Sequence, residues 1–195
     1  MGQTFANITV KGQKQNILID YLNKFKRNAY VSPSVNDFVV VYDEYSESNL
    51  EELSKLSLQI SKDLCCVTFS IAIYDESWFA YELYENGNCI DEYISSGKDA
   101  FPEGGNTLKL CTILGAKGTI NKVRPILREP TTEKVYLFAS QRHQELVKKL
   151  GLSIWSTDII GGYQYIDEEE IDAIIFNKDG FPDIEATLSM LKKTN

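Results

Sequence analysis

The chain has 195 residues, of which 43% are hydrophobic, and this suits one domain or two small packed halves with a sizeable core. Its formal charge is −8, and residues 1–100 carry most of it, with 8 Lys/Arg against 15 Asp/Glu. This balance disfavours nucleic acid and anionic lipid as partners and is compatible with a basic protein partner. The apolar runs are too short for a membrane helix and no secretion signal is recognisable, so we expect a soluble cytoplasmic protein.

The first part of the chain alternates between strand and helix patterns. Alternating or β-branched apolar residues predict strands, and apolar residues spaced three and four apart predict helices. The predicted elements are strands at 4–10, 29–33, 37–44 and 66–74 and helices at 13–26 and 48–63. Their β-α-β-β-α-β order is that of a ferredoxin-like fold, so we expect an α+β protein built on such a core.

The stretch WFAYELYENGNCIDEY predicts a β-hairpin that extends this sheet. Its centre, Asn86–Gly87, is the preferred pair for a tight type I′ turn. Counting outward from this turn places Glu82 opposite Asp91 on one face and Tyr81 opposite Glu92 on the other. Because Glu92 then falls among apolar side chains, we expect either a buried contact with Tyr81 or a bulge in the pairing.

In this register one face of the hairpin combines aromatic and acidic side chains. Its predicted members, which we take as candidate binding residues, are Trp78, Glu82, Tyr84, Asp91 and Tyr93. Such a face can recognise a cation or a basic side chain, and the Glu82/Asp91 pair could also share a proton. The alternatives are a solvent-exposed face whose charges are screened, or a face covered by the C-terminal half.

Residues 99–195 carry weaker signals than the sheet domain predicted for residues 1–98. We expect them to form mainly short helices with one strand and to pack on the first domain. Helices are predicted at 107–114, from Thr119 to Pro125, after Ser140 as far as a left-handed stop at Gly151, and at 183–193. GYQYI at 162–166 predicts the strand, and VYLFA at 135–139 fits a strand or a helix.

His143 is the only histidine of the chain, and it borders the apolar stripe of its predicted helix. We interpret it as a structural residue, with a catalytic base as the alternative, and include it among the candidate binding residues. The four cysteines lack a C-x-x-C spacing and fall in apolar patterns, which favours free thiols over a zinc site. Gly104–Gly105 could cradle an anion, although a flexible loop is the more common role of such a pair. No metal or cofactor is predicted.

Four stretches carry a resemblance to a known set of proteins: YELYENGNCIDEYISS, PEGGNTLKLC, SQRHQELVKKLGL and GYQYI. They resemble the pattern L-Y-x-x-G-x-x-x-D-E-Y-x-S, a glycine pair leading to L-C, R-H-x-x-L-x-x-x-L-G-L and G-Y-x-Y-I of an uncharacterised bacterial family, found among cyanobacteria and others. The likeness spans the chain from Ala29 onward, although Gly97–Lys98 replaces a more usual proline. It implies a shared fold without a known activity, and it singles out Asp91, Glu92, Tyr93, Arg142 and His143.

Three functions are compatible with these observations. The leading hypothesis is a non-enzymatic protein-interaction module, either an adaptor or an immunity-type inhibitor, because the hairpin is acidic and aromatic and catalytic signatures are missing. The alternative is a small-molecule-binding regulatory domain, by analogy with other ferredoxin-like sheets. An enzyme that uses Glu82 and Asp91, or His143 with a cysteine, is the third.

Overall fold

A computed structural model of the chain describes residues 2–96, 101–129, 136–157, 161–166 and 192–194. One antiparallel sheet organises them. Its eight strands are β1 (Phe5–Lys11), β2 (Ala29–Val31), β3 (Phe38–Asp43), β4 (Val67–Tyr74), β5 (Trp78–Glu85), β6 (Asn88–Ser96), β7 (Glu103–Gly104) and β8 (Lys192–Lys193). They lie side by side in the order β7-β6-β5-β4-β1-β3-β2-β8. The predicted α+β class is therefore confirmed.

Six α-helices accompany the sheet among the described residues, most of them short and in the C-terminal half. They are α1 (Gln15–Lys24), α2 (Glu44–Glu47), α3 (Leu50–Asp63), α4 (Thr107–Ile113), α5 (Ile120–Arg128) and α6 (Ala139–Leu150). Short 3₁₀ turns at Lys117–Thr119, Ile154–Ser156 and Tyr163–Tyr165 connect or follow them. The predicted strands of the first 74 residues and the two long helices between them all form.

The longest helix, α3, follows from its sequence signals. The Asn49 side chain caps it by accepting a hydrogen bond from the Glu52 amide at 3.2 Å. Two glutamates in the first turn complement the helix dipole. Leu53, Leu56 and Ile60 form one apolar stripe, which is buried on the sheet.

Helices cover both faces of the sheet. Apolar side chains of α1 and α3, such as Leu18 and Ile60, share a core with Ile8 and Val41 of the central strands. On the opposite face, α4, α5 and α6 share a second core with residues of β1, β4, β5 and β6. Because successive residues of a strand point to opposite faces, β1, β3 and β4 each contribute to both cores. We refer to the two sides as the α3 face and the α6 face.

The structure corrects several C-terminal predictions. Pro125 does not end α5, which continues to Arg128 because Val123, Ile126 and Leu127 are buried in the core. That burial outweighs the one backbone hydrogen bond that a proline removes. Residues 162–166 form a 3₁₀ turn at Tyr163–Tyr165 instead of a strand.

Two further predictions concern less regular parts of the chain. The described residues 136–138 belong neither to a strand nor to a helix, and α6 begins at Ala139. Gly151 ends α6 in the left-handed conformation, with φ of 68°, as predicted. Of the helix predicted at 183–193, only Lys192 and Lys193 lie within the described residues, and they form β8 beside β2.

Candidate functional site

A bulge in the hairpin separates the residues that the sequence predicts to share one face. The turn itself forms as predicted, with positive φ at Asn86 and Gly87 and with Glu85 opposite Asn88. After the Tyr84–Cys89 pair the ladder shifts by one residue, and Ile90 is the extra residue of β6.

Beyond the bulge, every pair differs from the predicted register. Glu82 lies opposite Glu92 instead of Asp91, and Tyr81 lies opposite Tyr93. Asp91 and Tyr93 therefore point to the α6 face, away from Trp78, Glu82 and Tyr84. The prediction that these five residues form one surface is wrong, whereas the bulge expected as an alternative is present.

Contacts on the α6 face explain why the bulge forms. The Asp91 carboxylate accepts hydrogen bonds from the Tyr81 hydroxyl and from the Asn106 amide, both at 2.9 Å. Tyr93 is buried there and stacks on Tyr81, with the ring centroids 5.2 Å apart. An unbulged strand would instead bury the Glu92 carboxylate in this core, which is costly without a partner. In the bulged strand Glu92 is exposed.

A buried arginine holds the same region together. Arg142 of α6 is 1% exposed and donates hydrogen bonds to the Tyr93 hydroxyl at 3.0 Å and to the Ile126 and Glu129 carbonyl oxygens at 2.5 and 2.8 Å. Its guanidinium also lies over the Tyr136 ring, 4.5 Å from the centroid. Arg142 thus connects β6, α5 and α6, and this is a structural role.

His143 lies deep in the core of the α6 face. It is fully buried between the rings of Phe5 and Phe79, with centroid distances of 5.7 and 5.6 Å. Burial lowers the pKa of His143 to about 3, although the backbone of Ser156 raises it in part. The ring is therefore neutral at pH 7, and the sheet separates it from Trp78 and Glu82.

The glycine pair before α4 is occupied by groups of the chain itself. The Gly105 amide donates to the Glu92 carbonyl oxygen at 2.6 Å, and the Arg128 guanidinium donates to the carbonyl oxygens of Gly104 and Gly105. Gly104 has φ of +72°, and a Cβ there would lie 2.2 Å from the Glu92 carbonyl oxygen. The glycines thus allow close packing on β6, which differs from the anion cradle considered from the sequence.

A groove on the α3 face brings together two of the remaining candidate residues, Trp78 and Glu82. It has a volume of about 400 Å³ and lies between Leu50 and Leu53 of α3 and the strand residues Trp78, Ala80, Glu82 and Ile94. We call it the α3 groove. It continues over Glu92 of β6 as far as Glu103 of β7.

The floor of the α3 groove is apolar. Trp78, Ala80 and Ile94 are each half-buried, so part of each side chain faces solvent. Leu50, in the first turn of α3, is 49% exposed at the rim, whereas Leu53 below it is buried. Trp78 packs partly on the core beneath α3, which positions its ring at the edge of the floor.

Three carboxylates give the α3 groove its charge. Glu82 and Glu92 lie directly opposite each other on β5 and β6, and Glu103 follows on β7. The Tyr84 hydroxyl donates a hydrogen bond to the Glu82 carboxylate at 3.0 Å and orients it. Among the described residues that line the groove, none is Lys or Arg. Like charges directly opposite each other on a sheet are destabilising, and no basic residue in the described part of the lining offsets this repulsion.

Glu47 is a titratable group that the sequence analysis does not single out. Its Oε2 accepts a hydrogen bond from the Gln164 amide at 2.8 Å, and its Oε1 is buried without a partner among the described residues. Gly162 packs so closely on Oε1 that a Cβ at this position would lie 2.0 Å from it. Burial raises the pKa of Glu47 to about 7, and the Gln164 amide lowers it only in part.

Other chemistry receives little support from the part of the chain that the structure describes. Cys65 and Cys89 are exposed free thiols, and Cys66 and Cys111 are buried ones. Burial raises the pKa of the Cys89 thiol, and the negative charges of Glu82 and Glu92 raise it further. In the described ranges, no three His, Cys, Asp or Glu side chains cluster so as to hold a metal ion, and no helix is long and apolar enough to cross a membrane.

Comparison with known proteins adds no family to these observations. No family model, curated protein or solved structure matches the chain. The resemblance to the uncharacterised bacterial family therefore stays a prediction.

Two members of the groove, Trp78 and Glu82, are predicted from the sequence, and Tyr84 adjoins the groove through its hydrogen bond to Glu82. Trp78, Glu82 and Tyr84 are on the predicted face, whereas Glu92 and Ile94 replace Asp91 and Tyr93 because of the bulge. One sequence signal pointed to this exchange: in the unbulged register, Glu92 falls among apolar residues. The contribution of Leu50, Leu53 and Glu103 depends on how α3 and β7 lie beside the hairpin, and no local pattern reveals it.

Proposed function

We propose that the chain is a non-enzymatic protein-interaction module and that the α3 groove binds a basic segment of a partner protein. The observation that carries this proposal is the combination of an apolar floor with three carboxylates and, among the described lining residues, no Lys or Arg. A partner that brings Lys or Arg to Glu82 and Glu92 would remove a like-charge repulsion that the free protein carries.

The residue types of the groove also suit protein recognition. Tryptophan is enriched among the residues that dominate binding energy, and Trp78 offers a half-buried ring at the edge of the floor. Leu50 and Ile94 supply apolar area beside the Trp78 ring, so a partner side chain that inserts between them would be shielded from water. Charged residues at the rim would mainly increase the association rate and the selectivity for basic partners.

The arrangement of the catalytic candidates supports a role other than catalysis. Glu82 and Asp91 point to opposite faces of the sheet, so the acid–base pair considered from the sequence does not form. His143 is fully buried and neutral, so a substrate in a surface cleft would not reach it.

We also propose that the first four strands form a ferredoxin-like core. They lie in the order β4-β1-β3-β2, and each neighbouring pair is antiparallel. Both α1 and α3 pack on the same face of these strands. This is the split β-α-β arrangement expected for that fold, with the hairpin and β7 added beyond β4.

A charge-reversal experiment tests the proposed function. The immobilised protein is incubated with cell lysate, and the retained proteins are compared between the wild type, Glu92→Lys and Trp78→Ala. The matched control is Asp20→Lys, which makes the same charge change on the exposed side of α1. We expect both groove variants to lose a basic protein that the control retains. Retention of the same proteins by all four forms would contradict the proposal.

The volume of the groove favours a second candidate function, a small-molecule-binding regulatory domain. About 400 Å³ lies in the ordinary range for small-ligand sites. The three carboxylates then select a cationic ligand with an apolar part. A thermal-shift screen of amino acids, nucleotides and divalent cations tests it: a rise in melting temperature with cationic amino acids that Glu92→Lys abolishes would favour this function.

A further inference from the structure

The part of the α3 face that none of the described helices covers has the dimensions of one helix, and we infer that the partner segment is a basic amphipathic α-helix that lies beside α3. This inference rests on the proposed function and specifies the structure of the bound partner.

The width of the exposed sheet fits a helix. On the α3 face the described helices α1 and α3 cover the central strands, and Trp78, Ala80 and Ile94 beyond them stay half-exposed. Neighbouring strands lie about 4.8 Å apart, so the span from β5 to β7 is about 10 Å. A helix with its side chains is about 10–12 Å across, so one helix would complete the layer that α1 and α3 begin.

The length of the strands sets the length of the partner helix. On β5 the groove extends from Trp78 to Glu82, because α3 covers the end of the hairpin near the turn. At about 3.3 Å per residue this is about 16 Å, and a helix of the same length has about 11 residues at 1.5 Å per residue. Apolar residues at positions i, i+3, i+4 and i+7 would contact Trp78, Ala80 and Ile94, and flanking Lys or Arg would reach Glu82 and Glu92.

The edge of the sheet argues against an extended partner strand. Strand addition needs a row of free backbone groups along an edge. Along β6, beyond its two pairs with β7, the Ile90 and Glu92 carbonyl oxygens already accept hydrogen bonds from Lys109 and Gly105. The Gly104 and Gly105 carbonyl oxygens are bound by Arg128. A second copy of the chain is also disfavoured as the occupant, because each copy has a net charge of −8.

Two peptides of identical composition test the inference. The first has about 18 residues, which extends the contact of about 11 residues by about one turn at each end, with leucines at the helical spacing above and lysines between them. The second is a scrambled sequence of the same residues without an amphipathic face. Titration calorimetry gives the dissociation constants, and circular dichroism reports the helix content of the peptide in the complex. The protein is used as the full chain, in the wild-type form and as Glu92→Lys and Asp20→Lys, each checked by its melting curve.

We expect the amphipathic peptide to bind the wild type about tenfold or more tightly than the scrambled peptide and to gain helix content on binding. Glu92→Lys should weaken this binding severalfold, whereas Asp20→Lys should leave it unchanged. Equal binding of both peptides with equal loss in Glu92→Lys would overturn the helix inference and leave the basic-partner proposal standing.

Two other outcomes separate the failure of the inference from that of the proposed function. Binding of neither peptide overturns the helix inference, and the lysate experiment with the same variants then decides the proposed function independently. Helical binding that Glu92→Lys and Asp20→Lys weaken equally would show a general charge effect, and it would overturn the assignment of the groove in both proposals.

Discussion

The carboxyl of Glu47 should make the stability of the protein depend on pH near neutrality. Its carboxyl is buried against Gly162, and burial raises its pKa to about 7 from the ordinary value of 4.5. Between these two pH values the folded protein binds a proton that the unfolded chain has released. The free energy of unfolding therefore falls as the pH rises from about 4.5 to about 7. This stabilisation is fully present below about pH 4.5 and is lost above about pH 7.

The size of the effect follows from the shift. One pKa unit corresponds to 1.36 kcal/mol, so a shift from 4.5 to about 7 is worth at most about 3 kcal/mol. Because the side chain is only partly buried, solvent screening reduces this, and we expect about 2 kcal/mol. The Glu47→Gln variant cannot ionise, so its unfolding free energy should lack this contribution to the pH dependence.

Urea denaturation at several pH values between 4 and 8 measures the effect. The contributions of the other carboxylates cancel in the difference in unfolding free energy between the wild type and Glu47→Gln. This difference should change by about 2 kcal/mol in favour of the variant from pH 4.5 to 7.5. Glu44→Gln, an exposed substitution in the same short helix, is the control. Parallel pH curves for the wild type and Glu47→Gln would refute the assignment of a buried, near-neutral carboxyl.

Two further predictions concern stability. Gly104→Ala should destabilise the protein by about 1–3 kcal/mol, because φ of +72° and the contact with the Glu92 carbonyl oxygen both disfavour a side chain. Gly118→Ala, where a Cβ meets no atom within 4 Å, should change the chemical-denaturation midpoint little; equal effects would contradict this reasoning. Arg27→Met should cost about 3 kcal/mol in the same assay, because Arg27 binds both oxygens of the buried Asp43 carboxylate. A loss below about 1 kcal/mol would mean that this carboxylate is solvated.

The first half of the fold was predictable because its signals are local. The apolar stripe of α3 and the β-branched strands each depend on residues close in sequence, and each forms as the pattern indicates. The turn at Asn86–Gly87 is equally local. These signals give the order of the elements but leave open which residues of the hairpin share a face.

The register of the hairpin was not predictable, because distant residues decide it. The bulge places Asp91 so that it accepts a hydrogen bond from the Asn106 amide, and it places the Tyr93 hydroxyl so that it accepts one from Arg142. Both partners lie outside the hairpin. A local count from the turn cannot weigh these contacts against a regular ladder. The prediction that Pro125 ends its helix fails for a related reason, since burial on the sheet keeps Pro125 within α5.

The single extra residue in β6 has a consequence for how this hairpin can vary. Removal of Ile90 would leave Cys89 and Asp91 as neighbours opposite Tyr84 and Leu83, so the ladder would become regular and every later residue would keep its face. Loss of the bulge without loss of a residue would instead move Tyr93 out of the interior and Glu92 into it. Among functional variants, a strand one residue shorter should therefore lack the bulge, whereas a strand of the present length should keep it.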